Sequence, residues 1–516
     1  MSSRAKKIIA LVLAVALLFG TSRVQQAMNR DRETLGLTHA DVLDDAPPVL
    51  VFTTVVLGGF RGLISNALWI RASDLQEQDK FFEAAQLADW ITKLEPHFSQ
   101  VWVNQAWNMS YNISVKFKDF SDRWNWVQRG FELLRDQALK FNPDDVLIYQ
   151  QLAWHFQHKI GANLDDASMY YKEAWAKDMA DVLDGGRVDS DDFIHPQTAD
   201  MKARTNILIG KYKLDPVFMK QVDEKYGPLE WRLPEAHAIY WAALGLKKAE
   251  ENPGKVKPED LLQLRRVIYQ DMQTDVMRGR LIPGVVSNSF ELGPNLDIIR
   301  KTSDAYEQAM KDEPRDADNI HRAHRNLVRQ AVYFLYEYNR MTEAAEWFKY
   351  LGERYPNDNL ITGTSDTKPS QMTLGKYVVA RIQEDMKDTS HDKTKAFIDA
   401  ALRRSYLLLI SGEDDHAVGT KNIAHVVWQT YQSQVPAARQ SAIGLPPFDE
   451  MDRAIQSELL ESDRRLLPQY RAILRSRLNM VPEEVSTNNP APVDLAPVAI
   501  ITNTPPEVTN AFRPNP

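Results

Sequence analysis

The stretch FFEAAQLADWITKLEP, residues 81–96, decides how most of this chain is read. Ala84, Ala88 and Ile91 recur at intervals of four and three, which sets them on one face of a helix. Pro96 ends that helix, because proline offers no N–H and its ring pushes the preceding residue out of helical geometry. The question is whether Pro96 is only a stop or the last position of a recurring unit. The same offsets return in MTEAAEWFKYLGERYPND as Ala344, Phe348, Leu351 and Pro356, and in TSDAYEQAMKDEP as Thr302, Tyr306, Ala309 and Pro314. A looser copy runs Phe131, Arg135, Ala138 and Pro143, and NLDDASMYYKEAWAKDM supplies Ala167, Tyr171 and Ala174 without a closing proline.

The helices that precede these segments keep the phase. Counting six residues past Pro96 and Pro143 reaches Trp102 and Tyr149, and Leu152, Ala153 and Phe156 follow in the second case. Counting back from Pro96 finds Leu68, Ala72 and Leu75. On these residues the chain resembles the tetratricopeptide repeat (TPR) family, whose unit of about 34 residues is a helix-turn-helix with small residues at the helix contact and a proline after the second helix. The resemblance covers residues 62–177 and 296–357. It departs from the family in spacing: Pro96 to Pro143 spans 47 residues, Pro314 to Pro356 spans 42, and NISVKFKDFSDR is inserted in the second unit. The fold class expected is therefore all-α, an irregular TPR-like α-solenoid of helical hairpins.

Outward from the repeats, the pattern divides the chain. At the N-terminus Arg4, Lys6 and Lys7 precede the apolar run IIALVLAVALLF, Ile8 to Phe19. This reads as a membrane anchor or signal segment over residues 1–25. An uncleaved anchor would hold the bulk of the chain on the extracytoplasmic (periplasmic) side of the cytoplasmic membrane; cleavage near residue 22 would secrete it instead. VLVFTTVVLGGF, within 44–61, reads as a second apolar helix lying on the membrane or packed on the first repeat. Residues 178–234, with Gly185, Gly186 and a DSDDF run, read as an irregular linking segment. A second helical array is expected over 235–479, where segments such as PEAHAIYWAALGLKKAEEN and PEDLLQLRRVIYQDMQTDVMRG keep helical periodicity and no run of alternating strands appears. The tail, 480–516, is rich in Pro, Asn and Thr and is expected to be disordered.

Composition narrows the chemistry. With 62 Lys and Arg against 70 Asp and Glu, the formal charge of -8 gives no positive field for a phosphate backbone, so nucleic acid is not the expected partner. Cysteine is absent, which removes disulfides, thiolate metal sites and a cysteine nucleophile. His155 with His158, and His321 with His324, lie three apart, yet neither pair has the HExxH arrangement or a local acidic ligand. Asp165 and Asp166 read as a helix start with Asn163 or Asp165 capping, and EDDH at 413–416 as a polar turn. No catalytic set, metal site or cofactor site is expected.

What a helical array does offer is an extended concave surface. The repeat phase places Asn66, Trp69 and Ser73 on the inward column of the first unit, Val103, Trp107 and Ser110 on the second, and Gln150, Trp154 and Gln157 on the third. Family members that clamp a C-terminal carboxylate carry basic residues in this column. Here it is aromatic, so the resemblance implies apolar or aromatic segments of other proteins as ligands. The competing reading packs the three tryptophans between helices. Three functions stay open: a membrane-associated, non-catalytic protein–protein interaction scaffold of the bacterial cell envelope, an envelope hydrolase or transferase, and an accessory subunit of a membrane transport system.

Overall fold

The structure, a computed structural model, describes residues 61–183, 190–283, 290–361, 367–386, 390–436, 440, 444–462 and 466–480, with positions 20, 21, 23, 24, 27, 28, 30 and 31. Apart from positions at their edges, the segments 1–25, 44–61 and 480–516 lie outside the described residues. Among the described residues no helix is long and apolar enough to cross a membrane. The chain divides into two compact units, Met1–Asn108 and Met109–Pro516.

In the first unit α1 (Arg61–Glu77) and α2 (Phe81–Leu94) form an antiparallel hairpin, followed by α3 (Ser99–Trp107) packed on α2. The hairpin turns on Asp79 at φ 58°, with Lys80 N donating to Leu75 O at 2.8 Å and Ala84 N to Lys80 O at 3.0 Å. A left-handed residue just past a helix satisfies its last carbonyls, and Asp and Asn tolerate that conformation. Ala72, Leu75, Ala84 and Ile91 fill the interface, as the repeat phase requires.

The second unit repeats this device. α13 (Ala317–Glu337) and α14 (Met341–Arg354) turn on Asn339, also at φ 58°, with Arg340 N donating to Leu335 O at 2.8 Å and Ala344 N to Arg340 O at 2.9 Å. The bonds match those of the first hairpin residue for residue, and the buried Ala344 and Leu351 take the places of Ala84 and Ile91.

The prolines also mark one geometry. The residues before Pro96, Pro143, Pro314 and Pro356 have φ of -127°, -131°, -123° and -129° with ψ of 63°, 61°, 65° and 52°. A fifth copy, Asn252 before Pro253 at φ -133° and ψ 58°, closes a helix outside the repeat segments named above. The leading aromatics reach back to these stops: Trp102 Nε1 donates to Pro96 O at 2.9 Å, and the Tyr149 hydroxyl to Pro143 O at 2.7 Å. The six-residue spacing is thus the reach of a buried ring that ties each helix start to the end of the one before.

The remaining elements of the second unit are α4 (Phe120–Glu132), α5 (Val146–Trp154), α6 (Ser168–Leu183), α7 (Ser190–Ile194), α8 (Ala199–Gly210), α9 (Pro216–Tyr226), α10 (Pro234–Glu251) and α11 (Pro258–Arg278) before the strands. After them come α12 (Ile299–Asp312), then α13 and α14, and beyond these α15 (Leu374–Met386), α16 (His391–Ser411), α17 (Asp414–Gln434), α18 (Phe448–Ser457) and α19 (Pro468–Arg477). Among the described residues four stretches, Asn108–Ile113, Leu133–Ala138, His155–Gly161 and Glu458–Ser462, wind as π-helix. Asn108–Ile113 and Leu133–Ala138, with the 3₁₀ turn Ser114–Lys116, fall between Pro96 and Pro143 and contribute to that long spacing, since a widened turn absorbs extra residues without ending its helix.

Two expectations need amending. Among the described residues the fold is all-α but for one antiparallel hairpin, β1 (Arg280–Pro283) paired with β2 (Phe290–Gly293) in the register Arg280 to Gly293. Four-residue strands are too short for a period of two to stand out in sequence. The described residues of the segment 178–234 are largely helical, through α7, α8 and α9, and bury Phe193, Leu208, Tyr212, Phe218 and Met219; Gly185 and Gly186 lie outside the described residues.

Candidate binding surface and a buried acid cluster

The nine column positions fall in both compact units. In the first, α1 leaves Asn66 and Ser73 exposed and Trp69 half-buried, while on α3 Val103 is buried and Trp107 is 44% exposed. In the second, Ser110 is fully buried with its hydroxyl donating to Val127 O at 3.4 Å, Gln150 and Gln157 are half-buried, and Trp154 is 37% exposed. Val103 and Ser110 are therefore part of the interior, which removes them from any accessible surface. Trp107 and Trp154 are not core residues, in contrast to the buried Trp102, Trp124, Trp175, Trp231, Trp241 and Trp347.

Trp154 is held as a plate. Its ring stacks on His158 at 4.4 Å between centroids and 14° between planes, and His158 Nδ1 shares a hydrogen bond with the Tyr111 hydroxyl at 3.1 Å. Lys159, one residue on, lies 5.1 Å from the Tyr111 ring centre and donates to Asp165 Oδ2 at 2.7 Å. Asp165 lies in the turn before α6, accepting from Ala167 N at 2.9 Å, and also pairs with Arg123 at 3.0 Å. Against the cost of burial, the Lys159 ammonium and the Ala167 N–H hold Asp165 well below the usual carboxylate range. An exposed indole with its orientation fixed in this way loses little freedom when a partner covers it.

The histidine pairs serve packing. His155 is buried, with Nδ1 2.7 Å from Gln151 O, while His158 is committed to Trp154 and Tyr111. His324, also buried, bonds Ser303 Oγ through Nε2 at 2.8 Å and the Tyr355 hydroxyl through Nδ1 at 2.6 Å. Among the described residues no group of three or more His, Asp or Glu side chains is arranged to hold a metal ion.

Sequence reasoning missed a cluster behind the Trp154 surface. Asp271 and Asp275 lie one turn apart on α11 and Glu235 opens α10; all three are at most 2% exposed. Gln157 Nε2 donates to Asp271 Oδ2 at 3.0 Å, and Asn295 Nδ2 to Asp275 Oδ2 at 2.9 Å. Arg278 lies 3.3 Å from Glu235 Oε1 and donates to Gly161 O at 2.7 Å. Burial, and then the charge of Glu235, push the Asp271 carboxyl well above its usual range. Burial drives Asp275 the same way, opposed by its bond from Asn295. Lys172, fully buried and donating to Asn163 Oδ1 at 3.1 Å, is lowered to about 8 by burial and by the charge of Arg278. The signal was present: the buried residues of α11 are Leu264, Val267, Ile268, Tyr269, Asp271, Met272, Asp275 and Val276, so two carboxylates occupy positions that the helical period reserves for apolar residues. Compared with known protein families and with curated proteins, the chain matches none.

Proposed function

We propose that this protein is a non-catalytic protein–protein interaction scaffold, a TPR-like α-solenoid whose exposed aromatic plates receive apolar or aromatic segments of partner proteins. The observation that carries this reading is the exposure of Trp154 on an ordered base of His158 and Tyr111, at the end of a helix that buries Tyr149, Leu152 and Ala153. Trp107 stands exposed in the equivalent register after the buried Trp102 and Val103. The shared turn geometry at Asp79 and Asn339 and the five matching caps before proline support the repeat reading. Membrane attachment at the cell envelope through residues 1–25, with the bulk of the chain periplasmic, belongs to the same proposal and rests on the charged and apolar pattern of that segment.

The test is a comparison of partners recovered with the wild-type chain and with Trp107→Ala and Trp154→Ala. Loss of a specific partner with unchanged helical circular dichroism and melting supports the reading. Retention of every partner by both variants refutes the aromatic surface. Fractionation of the full chain beside one lacking residues 1–25 tests the membrane attachment separately.

A further inference from the structure

Among the described Phe and Trp side chains of the second unit, Phe120 and Trp154 are the exposed ones. The Phe120 ring has the Arg123 guanidinium 5.6 Å from its centre, so a cation already occupies it. At Trp154 the ring of His158 covers one face of the indole, and the Tyr111 hydroxyl takes a hydrogen bond from the indole N–H. What stays open there is aromatic surface without an uncommitted polar atom.

The sequence past α19 holds a segment suited to such a surface. Residues 490–501, PAPVDLAPVAII, carry one charge, Asp494, and lie outside the described residues. Covering their aliphatic side chains is favourable. Twelve residues are too few to span a bilayer, and without Lys or Arg the segment is not drawn to an anionic membrane surface. Pro490, Pro492 and Pro497 lack an N–H and fix φ, so docking as a helix or as an added strand is costly. Pyrrolidine rings flanked by Val493 and Val498 instead fit an aromatic face, the mode by which proline-rich ligands are received.

The segment is long enough to arrive. α5 packs on α11, α11 on α13, α13 on α17, α17 on α16 and α16 on α19. Five helix spacings of about 8–10 Å give about 40–50 Å between the helix of Trp154 and the last described helix. Pro497 follows Met480 by 17 residues, which extend to about 56–61 Å. We propose that residues 490–501 lie across the open surface of Trp154 in the same molecule, and that partner segments compete with them for it. This rests on the reading of Trp154 as a receiving surface.

The full chain tests it, with a fluorescein-labelled peptide of residues 488–503 as the probe and anisotropy as the readout. In wild type the tethered segment competes with the probe at an effective concentration of up to about 1 mM, so vacating the surface with Pro492→Asp and Pro497→Asp together is expected to raise probe affinity about tenfold. Leu495→Asp is a second tail variant, expected to act in the same direction. Adding Trp154→Ala to either is expected to lower the affinity by about tenfold or more, with helical circular dichroism unchanged. Equal affinity in wild type and both tail variants, no binding to any of them, or binding that survives Trp154→Ala overturns the proposal. So does a wild-type dimer that the tail variants lose in sedimentation, which would put the segment on a second copy. If the probe fails while Trp154→Ala still sheds a partner, this inference alone falls; if Trp154→Ala changes neither, the receiving surface falls with it.

Discussion

Gly419 lies in α17 where that helix crosses the turn between α13 and α14. A Cβ built there would stand 1.9 Å from Glu337 O, 2.6 Å from Glu337 C and 2.9 Å from Asn339 N. Ordinary contact begins at 3.4 Å, so Gly419→Ala requires the carbonyl and the helix to separate by 1.5 Å. The turn cannot yield cheaply, since Asn339 N and Arg340 N are bonded to Tyr336 O and Leu335 O at 3.1 and 2.8 Å. The helix is equally fixed, because it buries Ile423, Ala424 and Val427 in the core. Alanine gains about 1 kcal/mol of helix propensity over glycine. Overpacking costs typically about 1–3 kcal/mol when side chains can adjust, and here the obstacle is backbone, so a net loss of about 3 kcal/mol or more is expected. Gly245→Ala is the control: its Cβ would meet Tyr149 Cβ at 2.9 Å and the tips of Leu264 at 3.0 and 3.2 Å, and a leucine tip can rotate aside. Its net cost is expected at about 1 kcal/mol or less. Denaturant titration followed by circular dichroism reads both, the midpoint falling with the slope unchanged. A Gly419→Ala variant as stable as wild type, or no less stable than Gly245→Ala, would refute the close crossing and with it the packing of α17 on the repeat hairpin.

Tyr149→Phe removes the bond to Pro143 O and keeps the ring, so a loss of about 1 kcal/mol is expected in the same titration; no loss would mean that the tie is incidental to the repeat. The buried His237 and His324 are both lowered by burial to about 4. Unfolding lets them take up protons, so their contribution is complete above the ordinary histidine value of 6.5 and is lost as pH falls from there through 4, at most about 3 kcal/mol for each. Asp271 acts in the opposite sense, since a carboxyl held well above 3.8 binds its proton more tightly in the folded chain and adds stability as pH falls. Asp271→Asn is therefore expected to give a steeper loss of stability between pH 6.5 and 4 than wild type, and a midpoint at pH 8 no lower than wild type; parallel profiles would show that Asp271 is ionised in the folded chain.

The fold was legible where a residue's neighbours along the chain determine its role. Ala84, Ile91 and Pro96 predict a helix, its buried face and its end, and the same offsets at Ala344, Leu351 and Pro356 recover the same turn 260 residues later. The π-helical stretches were not legible, because a widened turn such as His155–Gly161 changes the phase without any proline or glycine to mark its start. The hairpin at 280–293 was missed for its length, and Asn252 before Pro253 because Trp241 and Lys248 stand where Ala84 and Ile91, or Ala344 and Leu351, stand in the other copies.

The candidate surface divides along the same line. Periodicity could say that Trp107 and Trp154 share a register, but whether a register is covered depends on helices far along the chain. Val103 and Ser110 are closed off, whereas Trp154 stays open on a base built from Tyr111 and His158. Gln157 joins the exposed and hidden halves of this region. It follows Trp154 by three residues in the adjoining π-helical stretch, yet its amide is bonded to Asp271, 114 residues away. Burial and the charge of Glu235 push that carboxyl well above its usual range, so the side chain that anchors the Trp154 segment to α11 is a buried acidic group. Asparagine can accept the same amide bond at that position and leucine cannot, so the orientation of Trp154 should survive Asp271→Asn and loosen in Asp271→Leu, a difference that indole fluorescence anisotropy in a chain retaining only Trp154 near the surface would register.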